Sequence, residues 1–198
     1  FKGGQMGLSD FLSANIVYPE FSRQHCISAI VQVSFKLNIA GKVTAPKIER
    51  GTGIDLDDEA LRVIKLTSGK WVIPAGYDTT TQVILPVKFN PDQTRCGGTS
   101  RKDIDMAVMA YKNRQTRQDV LIHYYKNKRE GKANTNSEAN MIKLKKQLGF
   151  DDDFIADILN QAKDKLKQKD KNGACENWYF IRNIGSDRAD KMIDKYCK

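Results

Sequence analysis

The stretch that decides the fold is residues 29–37, Ala-Ile-Val-Gln-Val-Ser-Phe-Lys-Leu. Apolar side chains occupy every second position, and Gln32, Ser34 and Lys36 fall between them. A period of two residues is typical of a strand with one buried face. This segment therefore predicts a half-buried strand, here strand one.

A second strand follows strand one after a short loop. Residues 38–42 read Asn-Ile-Ala-Gly-Lys, with Gly41 at a position suited to a positive φ angle. Residues 43–49 return to an extended pattern, so strands one and two form a predicted hairpin.

A helix and a third strand complete the first half of the chain. Asp55 and Asp57 precede apolar residues at helical spacing, and Gly69 ends that helix. Residues 83–89 alternate again as strand three, and a short helix containing Leu8, Phe11 and Leu12, which ends near Tyr18-Pro19, precedes strand one. The predicted order is α-β-β-α-β.

The crossover helix restricts the topology. If strand three lies beside strand one, the sheet order is 2-1-3 and all neighbouring strands are antiparallel. Strand three is then an edge strand. Pro86 agrees with this, because proline is tolerated where its missing N–H would face solvent.

Composition and charge separate the two halves of this 198-residue chain. Residues 1–98 carry 11 Lys/Arg and 9 Asp/Glu, and residues 99–198 carry the remaining 22 and 15, so the net charges are +2 and +7 of the total +9. The second half contains no proline, and residues 90–100 are rich in turn formers. We predict a domain at residues 1–92, a linker at residues 93–100 and an all-helical domain at residues 101–198.

The second half predicts helices at about residues 102–112, 117–129 and 137–148, followed by a helical hairpin and a last helix. Asp151, Asp152 and Asp153 mark a helix start. Ala174, Trp178 and Ile181 have the spacing of a close helix–helix contact and resemble a tetratricopeptide unit with a capping helix, although one repeat period upstream the pattern is absent. A helical array of this kind often offers a concave surface for proteins.

Four cysteines have three possible pairings. Cys26 precedes strand one and Cys96 follows strand three, which places them at one end of the sheet. Cys175 begins one helix and Cys197 ends the next antiparallel helix. We predict disulfides 26–96 and 175–197, which indicate an oxidising compartment. Four reduced thiols are the alternative.

Catalytic and cofactor chemistry has little support in the sequence. There is no Cys-x-x-Cys pair, the glycine pairs lack the context of a phosphate loop, and the acid clusters fit helix N-termini. We expect neither an enzyme nor a bound metal or cofactor. The 22.4 kDa chain also has no apolar run long enough to cross a bilayer.

Residues 1–90 resemble the TonB C-terminal domain family, in the version common in Bacteroidetes. The resemblance rests on an ordered set of short segments in their family spacing: Phe1-Lys2-Gly3-Gly4-Gln5, Tyr18-Pro19, residues 27–37, Gly41-Lys42-Val43, residues 57–63, residues 70–76 with Trp-Val-Ile-Pro-Ala-Gly, and residues 85–89. Ser28-Ala29 replaces the glycine that the family often has before strand one. The fold class that follows is α+β, joined to a tetratricopeptide-like helical domain.

The resemblance implies a periplasmic energy transducer. In that family an inner-membrane motor pulls on the protein, whose C-terminal domain grips the TonB box of an outer-membrane transporter by β-augmentation on the last strand. The implied docking edge consists of Thr81, Gln82, Val83, Ile84, Leu85, Val87, Lys88 and Phe89, with pairing interrupted at Pro86. An inner-membrane anchor and a proline-rich spacer are expected upstream of Phe1.

Other interpretations remain open. The chain could be a periplasmic scaffold that binds proteins or the cell wall without transducing force. Two copies could pair through strand three. The basic cluster Arg114, Arg117, Lys126, Lys128 and Arg129, with Tyr124 and Tyr125, would suit an anionic partner. Binding of nucleic acid is not expected if the disulfides form.

Overall fold

A computed structural model describes residues 1–92, 94, 96 and 98–197. Gln93, Arg95 and Gly97 of the predicted linker, and Lys198 at the end of the predicted helical domain, lie outside the described residues. The chain forms two compact units, Phe1–Lys112 and Asn113–Lys198. The predicted linker at residues 93–100 stays a prediction.

The first unit is built on a three-stranded antiparallel sheet. Its elements are α1 (Gly4–Asn15), α2 (Glu20–Gln24), β1 (Ala29–Leu37), β2 (Val43–Arg50), α3 (Asp55–Leu66) and β3 (Val83–Phe89). The strand order is β2-β1-β3, and both pairings are antiparallel. The predicted α+β class and the 2-1-3 order are confirmed.

The core of the first unit lies on one face of this sheet. Val31, Val33, Phe35 and Leu37 of β1 are buried, as their alternation predicts. They pack in one cluster with the apolar face of α3 and the end of β3, namely Leu56, Ala60, Val63, Ile64, Val87 and Phe89. The helix starts where Asp57 accepts hydrogen bonds from the backbone N–H groups of Thr52 and Gly53.

The sequence missed one helix in this unit. The first helix ends at Asn15, before the predicted end near Tyr18-Pro19, and Pro19 then caps the five-residue helix α2. Proline is well suited to a helix start because its missing N–H has no partner there. A helix of five residues is too short to show a periodic pattern in the sequence.

Gly41 supports a close approach of two loops and carries a testable prediction. Its φ angle is +68°, and an added Cβ would lie 2.3 Å from the carbonyl oxygen of Trp71. Gly69 also has a positive φ, +79°, but nothing lies within 4 Å of its added Cβ. Both alanine variants incur the strain of a left-handed backbone, about 1–2 kcal/mol. We expect Gly41→Ala to cost about 1–3 kcal/mol more than Gly69→Ala, because only Gly41 is also overpacked.

Urea unfolding of the two alanine variants, followed by Trp71 fluorescence in a Trp178→Phe background, checks this expectation. Equal destabilisation would show that the Trp71 carbonyl moves aside without cost.

The second unit is helical throughout its described residues. Residues 101–112 of helix α4 (Arg101–Arg129) belong to the first unit, and the rest of the helix belongs to the second. A short 3₁₀ turn (Thr135–Ser137), α5 (Glu138–Gln147), α6 (Asp152–Lys167), α7 (Lys171–Asn183) and α8 (Asp190–Tyr196) follow. The predicted break near residues 113–116 is wrong. Those residues, Asn-Arg-Gln-Thr, include neither glycine nor proline, so an established helix continues through them.

The hairpin of α6 and α7 forms the centre of the second core. Asp151 and Asp170 cap the two helices by accepting hydrogen bonds from the N–H groups of Phe154 and Gly173. Ala174, Trp178 and Ile181 are buried together in this core, as their spacing predicts. The likeness of this hairpin to a tetratricopeptide unit stays a prediction.

Both predicted disulfides are present. Cys26 is bonded to Cys96 and Cys175 to Cys197, and each pair has a Cα–Cα distance of 5.6 Å. The first bond lies in the first unit and the second in the other, so each unit carries its own covalent crosslink. Among the described residues, no helix combines the length and the apolar character that crossing a bilayer requires.

Candidate functional site

The two edges of the sheet differ in regularity. On the β2 side, the register with β1 shifts twice, and Ala45 takes a positive φ of 48° beside Pro46. Bulges and prolines of this kind discourage the pairing of further strands. On the β3 side, seven successive residues pair with β1 without a shift. The outer side of β3 has no strand beside it among the described residues. Of the two edges, β3 is therefore the one with a regular row of backbone groups.

The position of Pro86 indicates which backbone groups this edge presents. Pro86 lies opposite Gln32 of β1. Facing residues of an antiparallel pair alternate between exchanging two hydrogen bonds and exchanging none. A proline fits the second kind, where its nitrogen points away from the neighbouring strand. By the same alternation, the N–H and C=O groups of Ile84 and Lys88 point away from β1, toward the open edge. Pro86, which has no N–H to donate, lies between them.

The predicted docking edge is longer than the strand. Val83, Ile84, Leu85, Val87, Lys88 and Phe89 lie in β3, whereas Thr81 and Gln82 precede it. The Thr81 N–H donates to the Asp78 carbonyl in a turn at 3.0 Å. The hydroxyl and N–H of Thr80 donate to the Asp78 carboxylate, and this holds the pKa of Asp78 below its ordinary value. This turn sets the entry of the chain into β3.

A groove runs beside the outer edge of β3. Helix α1 forms one wall through Leu8, Leu12 and Ile16, and Leu85 and Pro86 of β3 form the other. Its volume is about 490 Å³. Gln5, Ser9, Ser13 and Asn90 add polar groups, and Lys88 is the one charged residue in its lining as described. The pattern in α1 predicted the helix, but nothing in the sequence showed that its apolar face lies beside the β3 edge.

The far end of β3 is held by Tyr18. The Tyr18 ring meets the Phe89 ring edge-on, with centroids 6.1 Å apart, and its hydroxyl donates to the carbonyl of Ile27. Burial, aided by the charge of Asp55, raises the pKa of Tyr18 to about 12. The hydroxyl therefore stays protonated, and this hydrogen bond persists, over the whole neutral range.

Glu59 joins α3 to the segment that follows α1. Its carboxylate is buried and accepts from the backbone N–H of Val17 at 2.6 Å and from Arg62 Nε at 2.6 Å. Arg62 also donates to the carbonyl of Asn15 at 2.6 Å. These bonds fix the end of α1 and so the wall of the groove. The sequence places Glu59 and Arg62 three positions apart on one helix, but this spacing does not show that they contact the segment after α1.

Most of the basic cluster in the second unit is bound within the chain. Arg114 donates to the carbonyl of Leu148, Arg117 to the Gln147 side chain, and Lys128 pairs with Glu138. Arg129 donates to the Arg182 carbonyl and the Asn183 side chain. These four cations have intramolecular partners, which weakens the case for an anionic ligand at the cluster as a whole. Across the part of the chain that is described, no three metal-binding side chains converge.

Comparison with known proteins agrees with this reading of the first unit. Residues 14–91 match the family described as Gram-negative bacterial TonB protein C-terminal. Neither the curated proteins nor the solved structures compared with the chain include a match. The matched residues run from the end of α1 to just past the end of β3, so they contain the whole sheet and its open edge. Residues 14–91 therefore form a domain of the TonB C-terminal family.

Proposed function

We propose that this protein is a periplasmic energy-transducing adaptor that binds the TonB box of an outer-membrane transporter by adding it as a strand to β3. The observation that carries the proposal is the regular, unpaired β3 edge beside a groove with apolar walls. Main-chain bonds to the outward groups of Ile84 and Lys88 would supply affinity. Side chains of the added strand that point toward α1 would enter the groove, which supplies selectivity.

Localisation follows from the same proposal. The matched family is a domain of Gram-negative bacteria that works in the periplasm, and two disulfides suit that oxidising compartment. An inner-membrane motor would drive the adaptor through an anchor upstream of Phe1. A role in protein binding fits an edge strand beside a groove with apolar walls.

The outward N–H of Ile84 provides the sharpest test of strand addition. We expect Ile84→Pro to weaken binding of a synthetic TonB-box peptide by about tenfold, because it removes one of two donors on the edge. Ile84→Ala is the matched control: it keeps the donor, and the Ile84 side chain is already 53% exposed. Titration calorimetry measures the affinities, and circular dichroism confirms that both variants are folded.

Amide chemical shifts complete that experiment. On addition of the peptide, we expect the largest changes within residues 81–89 and in the groove wall of α1. A peptide that binds without shifting these amides would contradict strand addition on β3. Peptide binding that Ile84→Pro and Ile84→Ala weaken equally would show that the side chain, rather than the donor, matters.

A scaffold without energy transduction is the second candidate. It is favoured by the second unit, which lies outside residues 14–91 and has its own core and disulfide. This function predicts no binding of TonB-box peptides and no shift changes in residues 81–89. A dimer paired through β3 would compete for the same edge, and its mass by sedimentation would depend on concentration and on Ile84→Pro.

A further inference from the structure

A larger groove lies within the second unit, between the C-terminal half of α4 and the beginning of α5. Its volume is about 820 Å³. Val120, Tyr124 and Met141 form much of its floor. Asp119, Lys126 and Lys132 lie on its rim. The volume is within the range of sites that hold ligands or partner side chains.

Two residues of the groove floor, Val120 and Tyr124, belong to apolar surface outside the core, whereas Met141 packs against the core as well. Leu121 is fully buried in the core of the unit, and Tyr125 packs against that core. Val120 lies one position from Leu121, about 100° around the helix, and remains 49% exposed. The Tyr124 hydroxyl is buried without a hydrogen-bond partner in the part of the chain that is described. Helix α4 thus has a second apolar stripe that faces the groove.

The walls of the groove determine the kind of partner. Beyond the first turn of α5, helices α4 and α5 pair their backbone groups internally, so their sides offer side chains but no unpaired N–H or C=O row. An extended strand placed here would find no edge to pair with. An amphipathic helix carries its backbone bonds internally and needs only apolar anchors, which this floor provides.

The charges on the rim of the groove favour one orientation of a bound helix over the reverse. The side chains of Asp119 and Lys126 form no ion pair or hydrogen bond among the described residues, whereas Lys132 pairs with Glu130 at 2.8 Å. Asp119 and Lys126 are seven positions apart on α4, about 10 Å along its axis. One end of the groove is therefore negative and the other positive. A helix has the complementary polarity, positive at its N-terminus and negative at its C-terminus.

We propose that this groove binds an amphipathic helix of a partner protein, oriented in the same direction as α4. The N-terminal turn of the partner lies at Asp119 and its C-terminal turn at Lys126. Apolar residues on one face of the partner contact Val120, Tyr124 and Met141. This site is separate from the β3 edge and does not depend on the function proposed for that edge.

Two designed peptides test the orientation on the full chain. Both have about eleven residues, with leucines along one helical face, so that the centres of their first and last turns are about 10 Å apart, as Asp119 and Lys126 are. The forward peptide has lysines in its first turn and glutamates in its last, and the reversed peptide exchanges them. Since the two differ in their own helix stability, the readout is the ratio of their dissociation constants, measured by fluorescence anisotropy at low salt.

The decisive variant exchanges the two rim charges. We expect Asp119→Lys with Lys126→Glu to move the ratio by about tenfold toward the reversed peptide, because each end changes from attraction to repulsion. An unchanged ratio overturns the proposed orientation. Failure of both peptides to bind at about 1 mM overturns the site itself.

Matched apolar variants test the floor. Val120→Asp places a charge in the groove and is expected to weaken both peptides at least tenfold. Ile142→Asp is the control, because Ile142 is 56% exposed on α5 and does not line the groove. Binding that survives Val120→Asp, or that Ile142→Asp weakens to the same extent, contradicts the proposal. Circular dichroism checks that both variants are folded.

Discussion

Replacing Cys26 and Cys96 together by alanine is expected to lower the free energy of unfolding of the first unit by about 4 kcal/mol. The bond joins residues separated by 70 positions, and in the chain-entropy account the stabilisation grows with the logarithm of the loop length. It links the turn before β1 to the segment after β3, where those antiparallel strands share one end of the sheet. Without it, β3 keeps its pairing with β1 and its contact with Tyr18, but the segment after β3 loses its covalent attachment to the turn before β1.

The second disulfide provides the control. Cys175 and Cys197 are 22 positions apart, and the same relation gives about 3 kcal/mol for their alanine variants. Each unit also contains one tryptophan, Trp71 or Trp178, so fluorescence follows the two units separately. We expect the Cys26–Cys96 pair to change the transition seen by Trp71 and the other pair to change the one seen by Trp178.

A urea titration of the wild type and the two double variants, with the other tryptophan replaced by phenylalanine, makes this measurement. Loss of less than about 1 kcal/mol in the first unit would show that the rest of the fold already restrains the two ends. If removing the Cys26–Cys96 bond shifted the transition seen by Trp178, or removing the Cys175–Cys197 bond shifted the one seen by Trp71, the assignment of one crosslink to each unit would be contradicted.

Trp178→Ala is expected to destabilise the second unit by about 3–5 kcal/mol. Trp178 is only 1% exposed and is among the largest fully buried side chains described. Its ring stacks on Tyr196, with centroids 5.6 Å apart, and this contact connects α7 to α8. Removing the indole leaves a cavity among helices whose positions are fixed by the hairpin and the disulfide, so the cavity cannot collapse fully.

Two further variants help to interpret the cost of Trp178→Ala: one tests the unpaired indole N–H, and the other is an exposed control. The indole N–H of Trp178 has no hydrogen-bond partner within the described residues. Trp178→Phe keeps an aromatic ring and removes that unpaired donor, so we expect less than half the cost of the alanine variant. Tyr179 is the neighbouring control, because it is 40% exposed, and Tyr179→Ala should cost about 1 kcal/mol or less.

Thermal unfolding followed by far-ultraviolet circular dichroism ranks these three variants. If Trp178→Phe is as harmful as Trp178→Ala, the full volume of the indole is required and the unpaired N–H carries no measurable penalty. If Tyr179→Ala matches Trp178→Ala, the assignment of the buried face of α7 is wrong.

Much of the first unit could be predicted because its signals are local and regular. The alternation in residues 29–37 gave the central strand, and Pro86 placed β3 at an edge. The order of the strands then brought Cys26 near Cys96, and that disulfide is confirmed. These predictions succeed because each rests on a rule that allows few other structures: the period of a strand, the missing N–H of proline and the shared ends of antiparallel strands.

The errors came from segments without a strong local signal. The helix α2 is five residues long, and α4 continues where a break was predicted. In α4, apolar residues serve both the core, through Leu121, and the groove, through Val120, so no single stripe is visible in the sequence. Two overlapping stripes cancel the periodicity from which helix boundaries are normally inferred.

The sequence by itself determined the α+β class, the sheet order and the edge position of β3, and it predicted the cysteine pairing, with reduced thiols left as the alternative that the structure decides against. Only the tertiary structure decided that β2 is bulged while β3 stays regular, and that the apolar side of α1 forms a groove beside β3. It also revealed the groove along α4, which has an apolar floor and carries Asp119 and Lys126 on its rim. The physical reason is that periodicity fixes which side chains share one face, whereas a binding surface depends on which faces the packing leaves uncovered.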